Sequence, residues 1–430
     1  MNFEVFVTMK VFKFGGASVK NPDAVRNVKQ VLDLFPDEEL VVVISAMGKT
    51  TNAMERIASS LFYGAKKEFL ELIAERKSFH FEIMDALFAD KSQPVFEEIS
   101  TIFQSLEERI DDHLAPSYDF EYDQIVSLGE VISTKIIAAF LAGERNHITW
   151  ADARKLVRTN NLYRYAEVDW ETTCNLITST FNKYPKGTVM ITQGFLGHTE
   201  EGFTTTLGRE GSDFTAGIFA YCLDAESVTI WKDVPGMLNA DPKWFDNTVK
   251  LDKISFREAI ELSYYGASVI HPKTIKPLQN KGIPLYVKSF LNPKEPGTII
   301  QSSTENDDLV PSFIFKMNQV LLSITAKDFS FIVEENMSKI FAILATHGAR
   351  INVMQNSALN FSVSLDIAPE HLEGLIEALS KSFIVKYNQD LELVTIRHYD
   401  QATIDRVTTN KIILMEQKTR QTARIVMKSL

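Results

Sequence analysis

Four short, largely apolar runs along the first 300 residues end in glycine- or serine-rich turns, and a fifth follows one. They are MKVFKF before Gly15-Gly16, LVVVIS (40–45) before AMGKTTN, TVMITQ (188–193) before GFLG, SVTIWK (227–232) before DVPG, and IPLYVK (283–288) after a Lys-Gly turn. Runs without polar alternation mark strands buried on both faces, as in a parallel sheet. Between them, apolar positions fall at helical spacing in NPDAVRNVKQVLDLF (21–35), over a long stretch from about 52 to 115, and in VISTKIIAAFLAGE (131–144). Strands alternating with helices predict an α/β domain with helices on both sheet faces. In such sheets ligands gather at the carboxyl ends of strands, where these turns fall.

The pattern changes after NPKEPGTII (292–300). SSTENDDLVPS is polar and reads as a linker. The strand QVLLSITA, the helix EENMSKIFAILATHG, the strands RINVMQNS and NFSVSLDI, the helix PEHLEGLIEALSKS and the strand FIVKYN then follow. That order, βαββαβ, is the ferredoxin-like arrangement. A second unit begins at LELVTIRHY and stops where its second helix should stand. The expected boundaries are therefore 1–301 for the α/β domain, 302–315 for the linker, 316–390 for the first small module and 391–430 for an abbreviated second one.

Composition narrows the function. The 430 residues carry a net charge of −11, which argues against a general nucleic-acid binder. Two cysteines without metal-type spacing make a disulfide framework or zinc site unexpected. No uninterrupted apolar run is long enough to span a bilayer, and the N-terminus lacks the pattern of a signal peptide, so a cytoplasmic protein is expected. Met9 opens MKVFKFGG, so the first eight residues read as an extension.

The turns carry the candidate chemistry. KFGGAS (13–18) sets a lysine at a strand end and two glycines after it, the parts of a nucleotide-phosphate cradle or of a plain tight turn. AMGKTTN contains Gly-Lys-Thr, but a P-loop needs a second glycine five positions before Gly48, and Val43 stands there. Ser45 and Thr51 remain as hydroxyl donors or helix caps. SLGE (127–130) reads as a helix opening, where Glu130 either complements the helix dipole or receives a substrate ammonium. In TTTLGREGSDFTAG (204–217), Gly208 and Gly211 let backbone N–H groups approach a ligand, and Ser212 and Asp213 suit a helix cap. This stretch is a capped turn or an anion site. WKDVPGMLNADP (231–242) reads as a rigid loop for a flat ring or phosphate tail, or as a structural turn. His271 reads as a packed or capping histidine rather than a general base.

Taken in order, KFGGASV, SAMGKTTN, SLGE, GFLGHTEEGFTTTLGREGSDFTA, WKDVPGMLNADP and GASVIHPKTI resemble the signatures of the aspartate kinases of the amino-acid kinase superfamily. The likeness runs from about residue 9 to the end and includes the ACT modules of that family. It implies an amino-acid kinase fold, a mainly parallel sheet between helix layers, followed by ferredoxin-like ACT modules. It also implies transfer of the ATP γ-phosphoryl group to the β-carboxylate of L-aspartate, the first step toward lysine, threonine and methionine. By the resemblance Lys13 contacts the phosphates with N–H groups at Gly15, Gly16 and Ala17. Arg209 grips a substrate carboxylate with its planar fork, for which lysine is a poor substitute. Ser45, Thr51 and Ser212 supply hydroxyls, and Glu130 takes the α-ammonium. Asp213 orients Lys13 or a Mg2+-bound phosphate, and Lys232, Asp233 and Lys243 belong to the nucleotide site. No protein metal site is implied beyond the Mg2+ that accompanies ATP. A monofunctional homodimer without an attached homoserine dehydrogenase is expected.

Four departures stand out. Glu210 replaces a frequent glycine, Ser268 a lysine near the nucleotide phosphates, and Lys232 a threonine; Lys232 is expected to supply the charge missing at Ser268. In the first ACT module Asn356, Ser357 and Ala358 stand where lysine-inhibited members present a Thr-Ser-Glu-like triplet, and Asn352 where they present an upstream Asp; the loss of those two carboxylates leaves the amino-acid effector open. A sister kinase for glutamate, acetylglutamate or a nucleoside monophosphate, and an inactive amino-acid sensor, are the rival readings.

Overall fold

The computed structural model describes residues 9–111, 115–145, 147–245, 247–267, 270–328 and 330–430. The first eight residues and Ser268, on which two expectations rest, lie outside them. The chain divides into two compact units. The first comprises Met1–Met237, Asp252–Ile260 and Val269–Thr304, and the second Leu238–Leu251, Glu261–Ser268 and Glu305–Leu430. The single boundary expected near 301 is thus corrected: two inserts belong to the second unit. The reason is local pairing that the sequence does not display. Leu238 bridges Lys250, Phe313 donates its N–H to the Asn239 carbonyl at 2.6 Å, and Phe245 stacks on Phe313 at 4.6 Å.

The first unit runs β1 (Met9–Phe14), α1 (Pro22–Leu32), β2 (Glu39–Ile44), α2 (Thr50–Phe62), α3 (Lys66–Leu87), α4 (Pro94–Glu108), α5 (Tyr118–Ala142), β3 (Ile148–Ala151) and α6 (Trp170–Phe181). It continues with β4 (Val189–Gln193), the hairpin β5 (Leu196–His198) and β6 (Thr204–Thr206), α7 (Gly211–Cys222), β7 (Ser227–Lys232), β8 (Lys253–Ser255), α8 (Phe256–Tyr265), α9 (Pro272–Lys281), β9 (Leu285–Ser289) and β10 (Thr298–Gln301). Among the described residues the main sheet has the order β3-β4-β2-β1-β7-β9-β10-β8, parallel throughout except for the β9–β10 pair. The expected apolar runs are its centre, and Val11, Phe14, Val41, Val43, Ile191 and Ile230 are fully buried. Register aligns Phe14 with Ile44 and Trp231, and Ile44 with Gln193. Four polar turns therefore emerge side by side at one edge of the sheet.

The helical stretch from 52 to 115 resolves into α2, α3 and α4, packed on the same core as β1 and β2. Helix α5 is long and apolar enough to cross a membrane by length and composition, but 78% of its most apolar window is buried inside the protein. Contrary to expectation, Cys174 of α6 and Cys222 of α7 form a disulfide, their Cα atoms 4.7 Å apart across 48 positions of sequence. Helix packing brings them together, which spacing along the chain could not reveal.

The second unit contains β11 (Ser312–Ala326), α10 (Glu334–Thr346), β12 (Arg350–Asn356), β13 (Asn360–Asp366), α11 (Pro369–Ser380), β14 (Phe383–Arg397), α12 (Gln401–Thr408), β15 (Lys411–Lys418) and β16 (Thr422–Ser429). Its antiparallel sheet has the order β12-β13-β11-β14-β16-β15. The expected linker ends early, because β11 already starts at Ser312. Ser312–Lys316 pair with Leu393–Arg397, a register shift follows, and Leu321–Ala326 pair with the first half of β14. One pair of 15-residue strands thus serves both modules. The second module, expected to lack parts, takes a strand from the chain before the first module. Separate apolar clusters lie beneath α10 and α11 and beneath α12.

Candidate active site

The turns after β1 and β2, the end of β7 and the start of α7 surround a cavity of about 560 Å³ within the first unit. Lys13, the penultimate residue of β1, extends into it from a nearly buried position. Its ammonium lies 2.6 Å from Asp213, and Lys232 at the end of β7 approaches the other oxygen of the same carboxylate at 3.7 Å. Two cations thus share one buried acid at the wall of the cavity. The turn after Lys13 passes very close to the next loop: a Cβ on Gly16 would sit 2.7 Å from the Gly48 carbonyl oxygen and 2.8 Å from that of Ala46. The Gly48 N–H donates to the Gly16 carbonyl at 3.0 Å and locks the two turns together.

Across the cavity stands Glu130. It lies in the middle of α5 rather than at a helix opening, so the dipole reading of SLGE is corrected: buried Tyr122, Asp123 and Ser127 extend the helix upstream of the obvious apolar run. One Glu130 oxygen accepts the Ala46 N–H at 3.4 Å, and the other has no hydrogen-bond partner among the described residues. Burial pushes its pKa up to about 8. A desolvated carboxyl group with one oxygen unpartnered is a receptor for a cation.

The start of α7 also differs from the capped turn. Glu210, in left-handed conformation (φ 56°), precedes the first turn, and no side chain caps the helix. Ser212 and Asp213 instead turn their side chains to the cavity, and Arg209 stands exposed on its lining. Ser212 fits only because residue 194 is glycine, where a Cβ would lie 2.4 Å from that of Ser212. Ser45 and Thr51 line the same cavity, and α2 has no side-chain cap either. Lys13, Gly16, Ser45, Thr51, Glu130, Arg209, Ser212, Asp213 and Lys232 are therefore brought together. Gly15 and Ala17 are not among the lining residues, although a Cβ at position 15 would press on the Lys13 ammonium at 3.3 Å. Asp233 is exposed in the loop beyond β7. Lys243 belongs to the second unit, where its ammonium lies over Trp244 at 4.7 Å. Asn352 accepts from Lys316 and donates to Gln319, both at 2.7 Å, and Asn356 and Ser357 are exposed at the end of β12. His271 caps α9, its Nδ1 accepting the Lys273 N–H at 3.1 Å.

Arg164 also lines the cavity and was not legible in the sequence. Its N–H donates to Asp123, which also accepts from the Thr206 N–H and hydroxyl at 2.9 and 2.6 Å. Its guanidinium lies 4.3 Å from the centre of the Tyr122 ring and 3.7 Å from Glu55. No local signal marks this arginine, because the contacts that aim it come from a helix 41 residues earlier.

A cavity at strand ends that sets two lysines on one buried acid and faces a carboxyl oxygen without a partner suits the joining of a polyanion to a small zwitterion. The chain belongs to the amino acid kinase family, whose model matches residues 8–289. Its place within that family is with the aspartokinases. It is 31% identical over 393 residues to lysine-sensitive aspartokinase 3 of Escherichia coli (strain K12), covering 90% of this chain and 86% of the relative. Aspartokinase 1, chloroplastic, of Arabidopsis thaliana is 29% identical, covering 90% and 70%. Among solved structures, E. coli aspartokinase III in complex with lysine and aspartate superposes with a TM-score of 0.81 at 28% identity, covering 97% of this chain and 95% of that one. The same enzyme in complex with aspartate and ADP gives 0.78 at 28% identity, covering 97% and 96%.

Proposed function

We propose that this aspartokinase transfers the γ-phosphoryl group of ATP to the β-carboxylate of L-aspartate, giving 4-phospho-L-aspartate and ADP. The reading is carried by one observation: the Lys13–Asp213–Lys232 cluster and the unpartnered oxygen of Glu130 line the same cavity. A carboxylate oxygen attacks the γ-phosphorus, the bond from that phosphorus to the bridging oxygen breaks, and ADP leaves with the electron pair. The nucleophile is already ionised, so no general base is required, and catalysis reduces to alignment and charge neutralisation.

In this reading Lys13 meets the phosphates, with N–H groups at Gly15, Gly16 and Ala17, and Lys232 and Asp233 serve the nucleotide. Arg209 holds a substrate carboxylate, Glu130 its ammonium, and Ser45, Thr51 and Ser212 its remaining oxygens. Asp213 holds Lys13 in position. No group of three or more His, Cys, Asp or Glu residues suited to a metal occurs among the described residues. Mg2+ ordinarily needs only one or two carboxylates plus phosphate oxygens and water, so it would arrive with the nucleotide, and Asp213 would orient the Mg2+-bound phosphate through the lysines it holds. When bound with ATP, Mg2+ neutralises charge on the β- and γ-phosphates. A homodimer, a cytoplasmic location and an amino-acid effector at the ACT modules complete the proposal.

Aspartate-dependent ADP release, with hydroxylamine trapping of the acyl phosphate, tests it. Hydroxamate is expected with aspartate and not with glutamate, acetylglutamate or UMP. Activity with one of those and none with aspartate would transfer the chain to a sister specificity, and no ADP release with any would leave the inactive-sensor reading.

A further inference from the structure

A second cavity, about 590 Å³, opens in the first unit and shares only Tyr165 with the first. Trp170 opens α6 at one wall, Phe214 and Tyr221 of α7 form a second, and Lys273, Lys276 and Pro277 of α9 a third. Phe214 and Tyr221 are seven positions apart, two helical turns, and so lie on one face of α7. Trp170 meets both rings edge to face, at 6.2 and 5.1 Å between centroids, and all three are only partly buried. The volume falls within the range of sites for small organic molecules.

Charge decides the class of ligand. Neighbouring Lys281 is paired with Asp224 and lies over the Tyr221 ring. Lys273 and Lys276, one turn apart on α9, have no carboxylate partner among the described residues and line the cavity. The one acidic side chain in the lining, Glu167, accepts a hydrogen bond from Asn160 at 3.2 Å. Two unpaired ammonium groups beside an aromatic wall suit a flat ring bearing an anion, since the ring gains stacking and the anion a charge-assisted contact.

We propose that this cavity binds a small planar aromatic carboxylate, its ring among Trp170, Phe214 and Tyr221 and its carboxylate between Lys273 and Lys276. Tyr165 belongs to both cavities, and Phe214 directly follows Asp213 in α7. Occupancy of either cavity therefore bears on the other, and the coupling is reciprocal.

The test is calorimetric titration of the full chain with indole-3-carboxylate, indole and cyclohexanecarboxylate, so it reads binding whether or not the kinase reading stands. Saturable binding is expected for indole-3-carboxylate, weaker by about tenfold or more for the uncharged and the non-planar probe, as for losing one good contact. The exposed pair Lys273→Glu/Lys276→Glu and the separate variant Trp170→Ala should each weaken binding to a similar degree without changing basal ADP release. Saturating aspartate should shift the probe affinity. No saturable binding to the wild-type chain, or equal binding by the charge-reversed variant, would overturn the proposal; identical affinity with and without aspartate would overturn the coupling.

Discussion

Glu130 is an acid held out of water at the cost of its own ionisation. Its pKa, raised to about 8 from an ordinary 4.5, means that the folded chain keeps a proton the unfolded chain loses. The sign follows: this residue lowers stability progressively as pH rises from about 4.5 to about 8, with the full penalty present above that. Glu130→Gln should therefore raise the melting temperature by several degrees at pH 8, and by little near pH 4, in paired thermal melts. The same variant should raise the KM for aspartate by roughly tenfold or more, the worth of a charge-assisted contact. In the wild type, aspartate should bind more tightly as pH rises from about 6.5 to 8, with proton release visible by calorimetry in buffers of different ionisation enthalpy. A less stable Glu130→Gln protein would remove the desolvation argument. Lys232, 3.7 Å from Asp213, makes a separate prediction: Lys232→Ala should raise the apparent KM for ATP or lower turnover, and an unchanged enzyme would discard its role. At this scale the sequence showed Lys13, Arg209 and Glu130 because each sits in a distinctive local string. Arg164 and Asp123 stayed hidden because their meaning lies in bonds between distant segments.

The elements that were easiest to foresee are those rich in apolar residues and bounded by turn signals. Strands β1, β2, β4, β7 and β9 are largely apolar runs and stand within two residues of their expected limits. Strands β3, β5, β6, β8 and β10 have three or four residues each, too few to establish a period, and the three threonines of β6 read as part of a polar turn. The start of α5 was missed for the opposite reason, since buried Glu121 and Asp123 interrupt its apolar pattern. Two predictions belong here. Gly16→Ala pushes a methyl group against two backbone carbonyls that cannot retreat without moving the whole turn, so it should lower kcat/KM by about a hundredfold, as expected for a misplacement near 1 Å. The disulfide between α6 and α7 closes a long loop, and Cys222→Ser should cost roughly 2–4 kcal/mol in oxidised protein. Thiol titration of the unfolded, unreduced chain checks the bond itself: no free thiol is expected after oxidising purification. Because such bonds are rare in reducing compartments, the same titration on chain kept reduced throughout should return two.

For the whole molecule the open matters are regulation and assembly, and both fall on the second unit. Asn352 already exchanges hydrogen bonds with Lys316 and Gln319 and carries no charge, so it offers little to a free ammonium. Millimolar lysine is therefore expected to leave aspartate-dependent ADP release unchanged, with threonine and methionine tested beside it; full inhibition by lysine would place its recognition on other residues. Assembly can be argued from the sheet. Among the described residues strand β15 pairs only with β16, and it carries Ile412, Ile413 and Leu414, exposed by 46%, 46% and 39%. An unpaired edge strand with three consecutive uncovered apolar residues invites pairing with another chain. Light scattering after gel filtration should therefore give twice the chain mass of 48.6 kDa. Ile412→Lys/Leu414→Lys, which places like charges along that edge, should shift the population toward single chains at micromolar concentration. The opposite edge, β12, exposes Met354 and supplies the control. If Met354→Lys dissociates the dimer and the β15 pair does not, the interface lies on β12. If neither does, the dimer does not form through the free edges of this sheet.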